Sequence, residues 1–320
     1  MALVIYWYDI VCFGIVAASL GVSFWVLWRR ELASKCDDNI IYQSLLVARP
    51  DITDRTVVPA MPGNHVGSSQ LWTSCWKQVH PGWLLATRSI SFLVMAGLLW
   101  KDIVEWDATI FIYYTEWTFM LIMIYFALGT VMSADVEEDG TATSITYKEK
   151  KSEGTVKLGI HCAEEAIRER AGFWGYLMQI IYQTCAGAVI LTDIIFWCVI
   201  VPFLSNSHLG LNALMGCIHS LNAVFLLIDT ALNSLPFPWF RLAYFVQWSC
   251  LYVIFQWVIH ACGFTWWPYP FLELNTPWAP LWYFAMAAIH IPCYGIYALI
   301  FKAKNSFFPR LFPRAFVRSY

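Results

Sequence analysis

The chain has 320 residues, of which 59% are hydrophobic, 18% aromatic and only 13% charged, with a formal net charge of −2. A soluble domain carries about 25% charged residues, so the charge here is too scarce to cover 56 aromatic side chains in water, and there is no basic surface of the kind nucleic acid requires. The composition predicts an all-α, polytopic transmembrane helix bundle.

A helix needs about 20 mostly apolar residues to cross the hydrocarbon, and seven stretches reach that length. The first spans 10–28, within an N-terminal segment 1–28. No basic stretch precedes it and Arg29-Arg30 follow it directly, which predicts a signal anchor rather than a cleaved leader. A loop over 29–82 contains Pro, Gly and Ser and shows no sustained helical period; Trp72, Trp76 and Trp83 predict that it packs partly against the membrane. Spans at 83–100 and 110–132 come next, then a second loop over 133–173 that opens with Asp135, Glu137, Glu138 and Asp139 and continues TATSITYKEKKSEG. That composition predicts a solvated, disordered tether open to phosphorylation, with a short polar helix over Ala163–Arg170 leading into the next span. Spans at 174–203, 209–232, 240–263 and 279–301 complete a six-helix core over 83–301. A basic and aromatic tail over 302–320 (FFPRLFPRAFVRSY at its end) could lie on anionic lipid or serve as an interfacial anchor.

Seven spans put the termini on opposite sides, and the Lys and Arg residues divide sharply between those sides. Of 20 basic residues, 18 fall on the side of the C-terminus, Lys101 alone lies on the other, and Arg88 is within a span. By the positive-inside rule both long loops and the C-terminal tail are cytosolic and the N-terminus is external or luminal. The same charge split serves the endoplasmic reticulum, other endomembranes or the plasma membrane equally. None of the ten cysteines falls in the short external loops, and no zinc-ligand spacing occurs, so neither a disulfide framework nor a metal is called for. No other cofactor is called for either.

An ionisable side chain inside a span is costly and is a functional candidate by default. Glu116 and Thr118 occupy the third span, Asp193 the fourth, His219 and Asn222 the fifth and His290 the seventh. At a rise of about 1.5 Å per residue, Thr118, Asp193, His219 and His290 all fall roughly 12–17 Å below the external boundary. A hydroxyl near an imidazole in a dry site is the minimum equipment for nucleophilic ester hydrolysis, and it equally suits a proton relay. Each residue also has a plainer role: a membrane Thr ordinarily bonds its own i−4 carbonyl, and His can serve as interhelical glue. Arg88 and Asp229 lie nearer the cytosolic face, where snorkelling or pairing at helix ends suffices, and His260 is close enough to the external end of its span to reach water.

Four segments carry a family resemblance. Tyr113–Gly129 (YYTEWTFMLIMIYFALG), LTDIIFWCVIVPFL in the fourth span, CIHSLNAVFLLID in the fifth and WWPYPFLEL at 266–274 resemble, in order over roughly 83–300, the rolling-stone and androgen-induced-protein family, its rolling-stone-like branch above all. The resemblance implies hydrolysis of fatty acid esters of hydroxy fatty acids within the membrane by a Thr nucleophile and a His. The family Thr follows a Trp in a "TF" motif, matching Trp117-Thr118-Phe119, and the family His precedes an aliphatic run ending in an acid, matching His219 ahead of Asp229. Asp193, Asn222, His290 and Glu116 are then supporting polar groups, with a membrane lipid or lipid ester as substrate and the bilayer as surroundings. The chain departs from the family in its extra N-terminal span, its longer loops and the LMGCI preceding His219, where relatives carry a second His and an Asn.

Three other classes stay in play. The rolling-stone branch is associated with cell fusion, which fits a non-catalytic multi-pass scaffold. Asp193, His219 and His290 could form the relay of a proton-coupled transporter, although no pair of Gly/Pro-broken helices is visible. A G-protein-coupled receptor fits poorly, because neither an external-loop cysteine nor DRY-like or NPxxY-like motifs occur. Homo-oligomerisation is left open.

Overall fold

The computed structural model describes residues 6–47, 68–77, 79–138, 172–204 and 213–319, with the backbone path alone over 32–47, 68–69, 135–138 and 203–204. The predicted tether and polar helix at 139–171 and much of the first loop, 48–67, lie outside the described residues. Among the described residues, seven helices are long and apolar enough to cross a membrane, and no strand forms beyond two isolated bridges. The helices are α1 (Trp7–Val47), α2 (Pro81–Trp106), α3 (Tyr114–Glu138), α4 (Phe173–Ile194), α5 (Ala213–Leu232), α6 (Leu242–Ala261) and α7 (Ala279–Leu311).

Local chemistry sets several of these boundaries. Pro81 sits in the first turn of α2, where its missing N–H is no loss, and the His80 ring accepts from Gly82 N at 3.1 Å as a cap. At the end of α6, Gly263 adopts φ +104°, Phe264 N donates to Ile259 O and Gly263 N to His260 O, each at 3.1 Å. That pair of bonds is a Schellman stop, and the positive φ is why glycine holds the position. After α4 the helix widens into a π-helical segment, Ile195–Leu204, with Pro202 inside it.

One expectation is corrected near the start of the chain: α1 does not stop near residue 28 but continues to Val47, so the first loop is partly helical. At the other end the tail folds back on the protein: α7 runs to Leu311, then Val317 N bonds Cys75 O and Lys77 N bonds Ala315 O, each at 2.8 Å. Trp76 is boxed by Phe308, Phe312 and Phe316 at 5.3–5.4 Å between ring centroids and donates Nε1–H to Ala231 O at 2.9 Å. Trp72 is buried as well, so of the three loop tryptophans only Trp83, 68% exposed, faces outward.

α4 is the centre of the bundle, touching α3, α5, α6 and α7, while α1 packs mainly on α6 and α7, with Glu31 accepting from the Tyr176 hydroxyl of α4. The sequence explains the difference. Gly175, Ala186, Gly187 and Ala188 let neighbours approach α4 closely, and 14 of its 22 residues are buried; a Cβ at Gly187 would lie 2.4 Å from the Phe245 ring. Small residues of this kind are how membrane helices pack when burial against lipid offers no hydrophobic gain. α1 instead presents Trp7, Ile10, Val22, Phe24, Trp25 and Trp28 outward.

Polar groups tie one end of the bundle together. Arg88 and Asp229 are both fully buried and pair with each other, Nε to Oδ1 at 2.9 Å, rather than snorkelling. Asp229 Oδ2 also accepts from Tyr125 at 2.5 Å and Asn233 at 2.7 Å, and Arg88 Nη1 donates to Leu71 O at 2.7 Å and Ser133 Oγ at 3.1 Å. Lys304 Nζ reaches Asn233 O at 2.5 Å, which links this cluster to α7 and, through Ser319 Oγ at 3.5 Å, to the tail. Outside the spans, burial raises the Cys75 thiol above its ordinary value, and the Lys304 ammonium opposes that shift.

Candidate functional site

A cavity of about 80 Å³ opens among α3, α4 with its π-helical extension, α5, α6 and α7. One water needs only roughly 10–15 Å³, so the space admits a larger group. Its wall is chiefly apolar, with Leu191, Ile195, Phe196 and Ile200 from α4 and its extension, Val253 from α6 and Met286 from α7. The polar groups that converge on it are His219 from α5, His290 from α7, Tyr114 and Thr115 from α3, Thr192 from α4, and Ser249 and Tyr252 from α6. Tyr269, Phe271 and Leu272, from the short connection between α6 and α7, close one end; burial raises the Tyr269 phenol above its ordinary value, against the hydrogen bonding from Thr115 and the Tyr114 backbone.

Both histidines are held with a ring nitrogen to spare. The His219 ring stacks on Phe196 with centroids 3.5 Å apart and planes 6° apart, and its Nδ1 is buried without a hydrogen-bond partner. The His290 ring leans on Phe245 at 4.5 Å, and its Nδ1 lies 2.6 Å from Met286 O. A carbonyl only accepts, so His290 Nδ1 carries the hydrogen and in the neutral ring Nε2 holds a lone pair; that Nε2 is buried without a partner. The hydroxyls are mostly committed. Thr192 Oγ1 donates to Val189 O at 3.0 Å and Tyr252 to Ile112 O at 2.7 Å, whereas the Tyr114 and Ser249 hydroxyls bond each other at 2.8 Å.

Of the residues singled out in the sequence, His219 and His290 share this wall and the other four do not. Thr118 is fully buried one helical turn along α3 from Tyr114; the Tyr114 phenol faces it, but Thr118 Oγ1 makes no regular hydrogen bond, not even to its own i−4 carbonyl. Asp193 and Asn222 face each other across α4 and α5, yet Asp193 Oδ1 and Asn222 Nδ2 are both unpartnered, and Asn222 Oδ1 accepts from Ala223 N at 2.6 Å. Glu116 is buried on α3 outside the cavity wall, with Oε2 unpartnered. Tyr114, Thr115 and Ser249 went unnoticed in the sequence. The first two lie in the YYTEWTF run that carries the resemblance, whereas Ser249, between Trp248 and Cys250, has no local signal at all.

Among the described residues, no group of three or more His, Cys, Asp or Glu is arranged to hold a metal ion. His260, near the end of α6, stacks on Trp267 at 3.6 Å and bonds Gln256 O at 2.7 Å; its Nε2 is also without a partner, but it does not line the cavity.

Seven helices long and apolar enough to span, five of them lining a largely apolar cavity that two imidazoles share, define a multi-pass helical membrane protein. The chain is similar to Protein rolling stone of Drosophila melanogaster, with 25% identity over 216 residues, 66% of this chain and 71% of that protein. That similarity supports the rolling-stone-like resemblance read from the four segments. No family model matches the chain, and no solved structure does.

Proposed function

We propose that the protein is an intramembrane hydrolase of lipid esters, of the fatty acid ester of hydroxy fatty acid type, with this cavity as its reaction site. One observation carries the reading: two imidazoles, each with a buried and unpartnered ring nitrogen, face a single, mainly apolar cavity. A bare imidazole nitrogen is the general base that ester hydrolysis requires, and the apolar wall suits acyl chains.

Carried over residue by residue, the resemblance makes Thr118 the nucleophile and His219 the base. His219 takes the hydroxyl proton as Thr118 Oγ1 attacks the ester carbonyl carbon, then returns it to the departing alkoxide. A water activated by the same ring releases the acid from the acyl-threonine. Asp193 would orient the imidazole, and His290 would polarise the carbonyl once its Nε2 carries a proton. Thr118 lies one turn beyond the cavity wall, so this route requires the Tyr114 ring to swing aside. The charge split supports an orientation with both long loops and the tail cytosolic.

The test is turnover by purified protein in detergent with a fatty-acyl ester of a hydroxy fatty acid. Thr118→Ala and His219→Ala should each lower it about 100-fold or more; unchanged turnover in both would sink this pairing. A non-catalytic scaffold is the second reading, favoured by the buried Arg88–Asp229 network, which ties helices together away from the cavity. It predicts no turnover by the wild-type chain and alanine variants that lose thermal stability alone. Proton-driven flux in proteoliposomes would instead indicate a transporter.

A further inference from the structure

We infer that Ser249 on α6 is a nucleophile and His290 on α7 its general base, a second hydroxyl–imidazole pair on the wall of the cavity, with Ser249 Oγ exchanging the Tyr114 phenol for His290 Nε2 when a lipid ester binds. The inference rests on the hydrolase reading above and names residues that the resemblance does not supply.

Three observations carry it. Ser249 and His290 both line the cavity, which Thr118 does not. Phe245 is the residue of α6 that contacts the His290 ring, at 4.5 Å, and Ser249 follows it by four residues, so it lies on the same face one helical turn, about 5.4 Å, further along. Neither reacting atom is spent on a backbone carbonyl. His290 spends its Nδ1 hydrogen on Met286 O at 2.6 Å and keeps Nε2 free, while Ser249 Oγ is bound to the Tyr114 phenol at 2.8 Å and not to a backbone carbonyl. Thr192 and Tyr252, by contrast, have given their protons to carbonyls.

The sequence balances with one water as co-substrate. Ser249 Oγ bonds to the ester carbonyl carbon as its proton passes to His290 Nε2. Collapse of the tetrahedral adduct breaks the bond to the alcohol oxygen, which leaves with that proton. A water then adds to the acyl-serine carbon, its proton passing through Nε2 to Ser249 Oγ as the acid departs.

The experiment treats the full-length protein in detergent with a long-chain alkyl fluorophosphonate, whose fluoride a nucleophilic hydroxyl displaces, and maps the adduct by mass spectrometry beside turnover of the ester. The adduct is expected on Ser249, with slower labelling in His290→Gln and a loss of about 100-fold or more in turnover in Ser249→Ala. Should Ser249→Ala fold poorly, Ser249→Cys keeps a nucleophile of similar size and is expected to react with a long-chain alkylating reagent faster than any other cysteine. An adduct on Thr118, with full turnover in Ser249→Ala or Ser249→Cys, overturns the pair and leaves the hydrolase reading standing. A wild-type chain with neither adduct nor turnover overturns both.

Discussion

Replacing Asp229 by alanine should cost about 3–5 kcal/mol of stability, because it leaves the Arg88 guanidinium buried without its counter-charge. The structure gives the parts of that cost. Asp229 accepts from Arg88 Nε at 2.9 Å, Tyr125 at 2.5 Å and Asn233 at 2.7 Å, and neither ionic side chain is exposed at all. Arg88 retains Leu71 O and Ser133 Oγ as acceptors, but its Nη2 is already without one. Tyr125→Phe removes a single bond to a charged acceptor and should cost about 1.5–3 kcal/mol. Removing both charges together, in Arg88→Met with Asp229→Leu, should cost much less than the two single changes summed, since an apolar pair of similar volume often replaces a buried ion pair at little loss. Unfolding by SDS titration in mixed micelles reads all five variants, the two single changes included, on one scale. A loss below about 1 kcal/mol for Asp229→Ala would refute the claim that a buried counter-charge holds this end of the bundle.

Gly187→Ala should lower folded yield and disturb the cavity together, because its new Cβ would lie 2.4 Å from the Phe245 ring that supports His290; overpacking of this kind costs about 1–3 kcal/mol, read by thermal unfolding in detergent. Trp76→Ala should empty the box formed by Phe308, Phe312 and Phe316 and cost about 3–5 kcal/mol, with the tail becoming sensitive to protease. Cys262 is exposed and Cys75 buried with its thiol pushed up. A membrane-impermeant maleimide near neutral pH should therefore modify Cys262 and spare Cys75 in the folded protein. With sealed, right-side-out vesicles the same reagent checks the orientation, since labelling of Cys262 from outside is what the charge split predicts.

The spans were legible because each needs only length and apolarity, which are properties of consecutive residues. The limits of α1 and α7 were not. Val47 and Leu311 end those helices well past the apolar stretch, and hydropathy records where a helix leaves lipid, not where it stops being a helix. The tail is a second case. FFPRLFPRAFVRSY has the composition of an interfacial anchor, but its partners are Cys75, Trp76 and Lys77, more than 200 residues away in sequence, and no local pattern announces a contact at that range.

The candidate site divides the same way. Depth along a span follows from residue count, so the sequence alone could rank Thr118, Asp193, His219 and His290 as polar groups at a similar level. Rotation about the helix axis does not follow from depth, and it depends on which neighbours each face meets. Packing around α4 turns His219 and His290 toward one cavity, faces Asp193 toward Asn222 and leaves Thr118 behind Tyr114. The same packing brings Ser249, unremarkable in its local sequence, to Tyr114 on another helix. By itself the sequence determined a seven-span helical membrane protein and the short set of polar residues within it, because transfer from water to hydrocarbon acts residue by residue. Only the tertiary structure decided which of those residues meet, because helix–helix contacts are made by faces that the linear order does not pair.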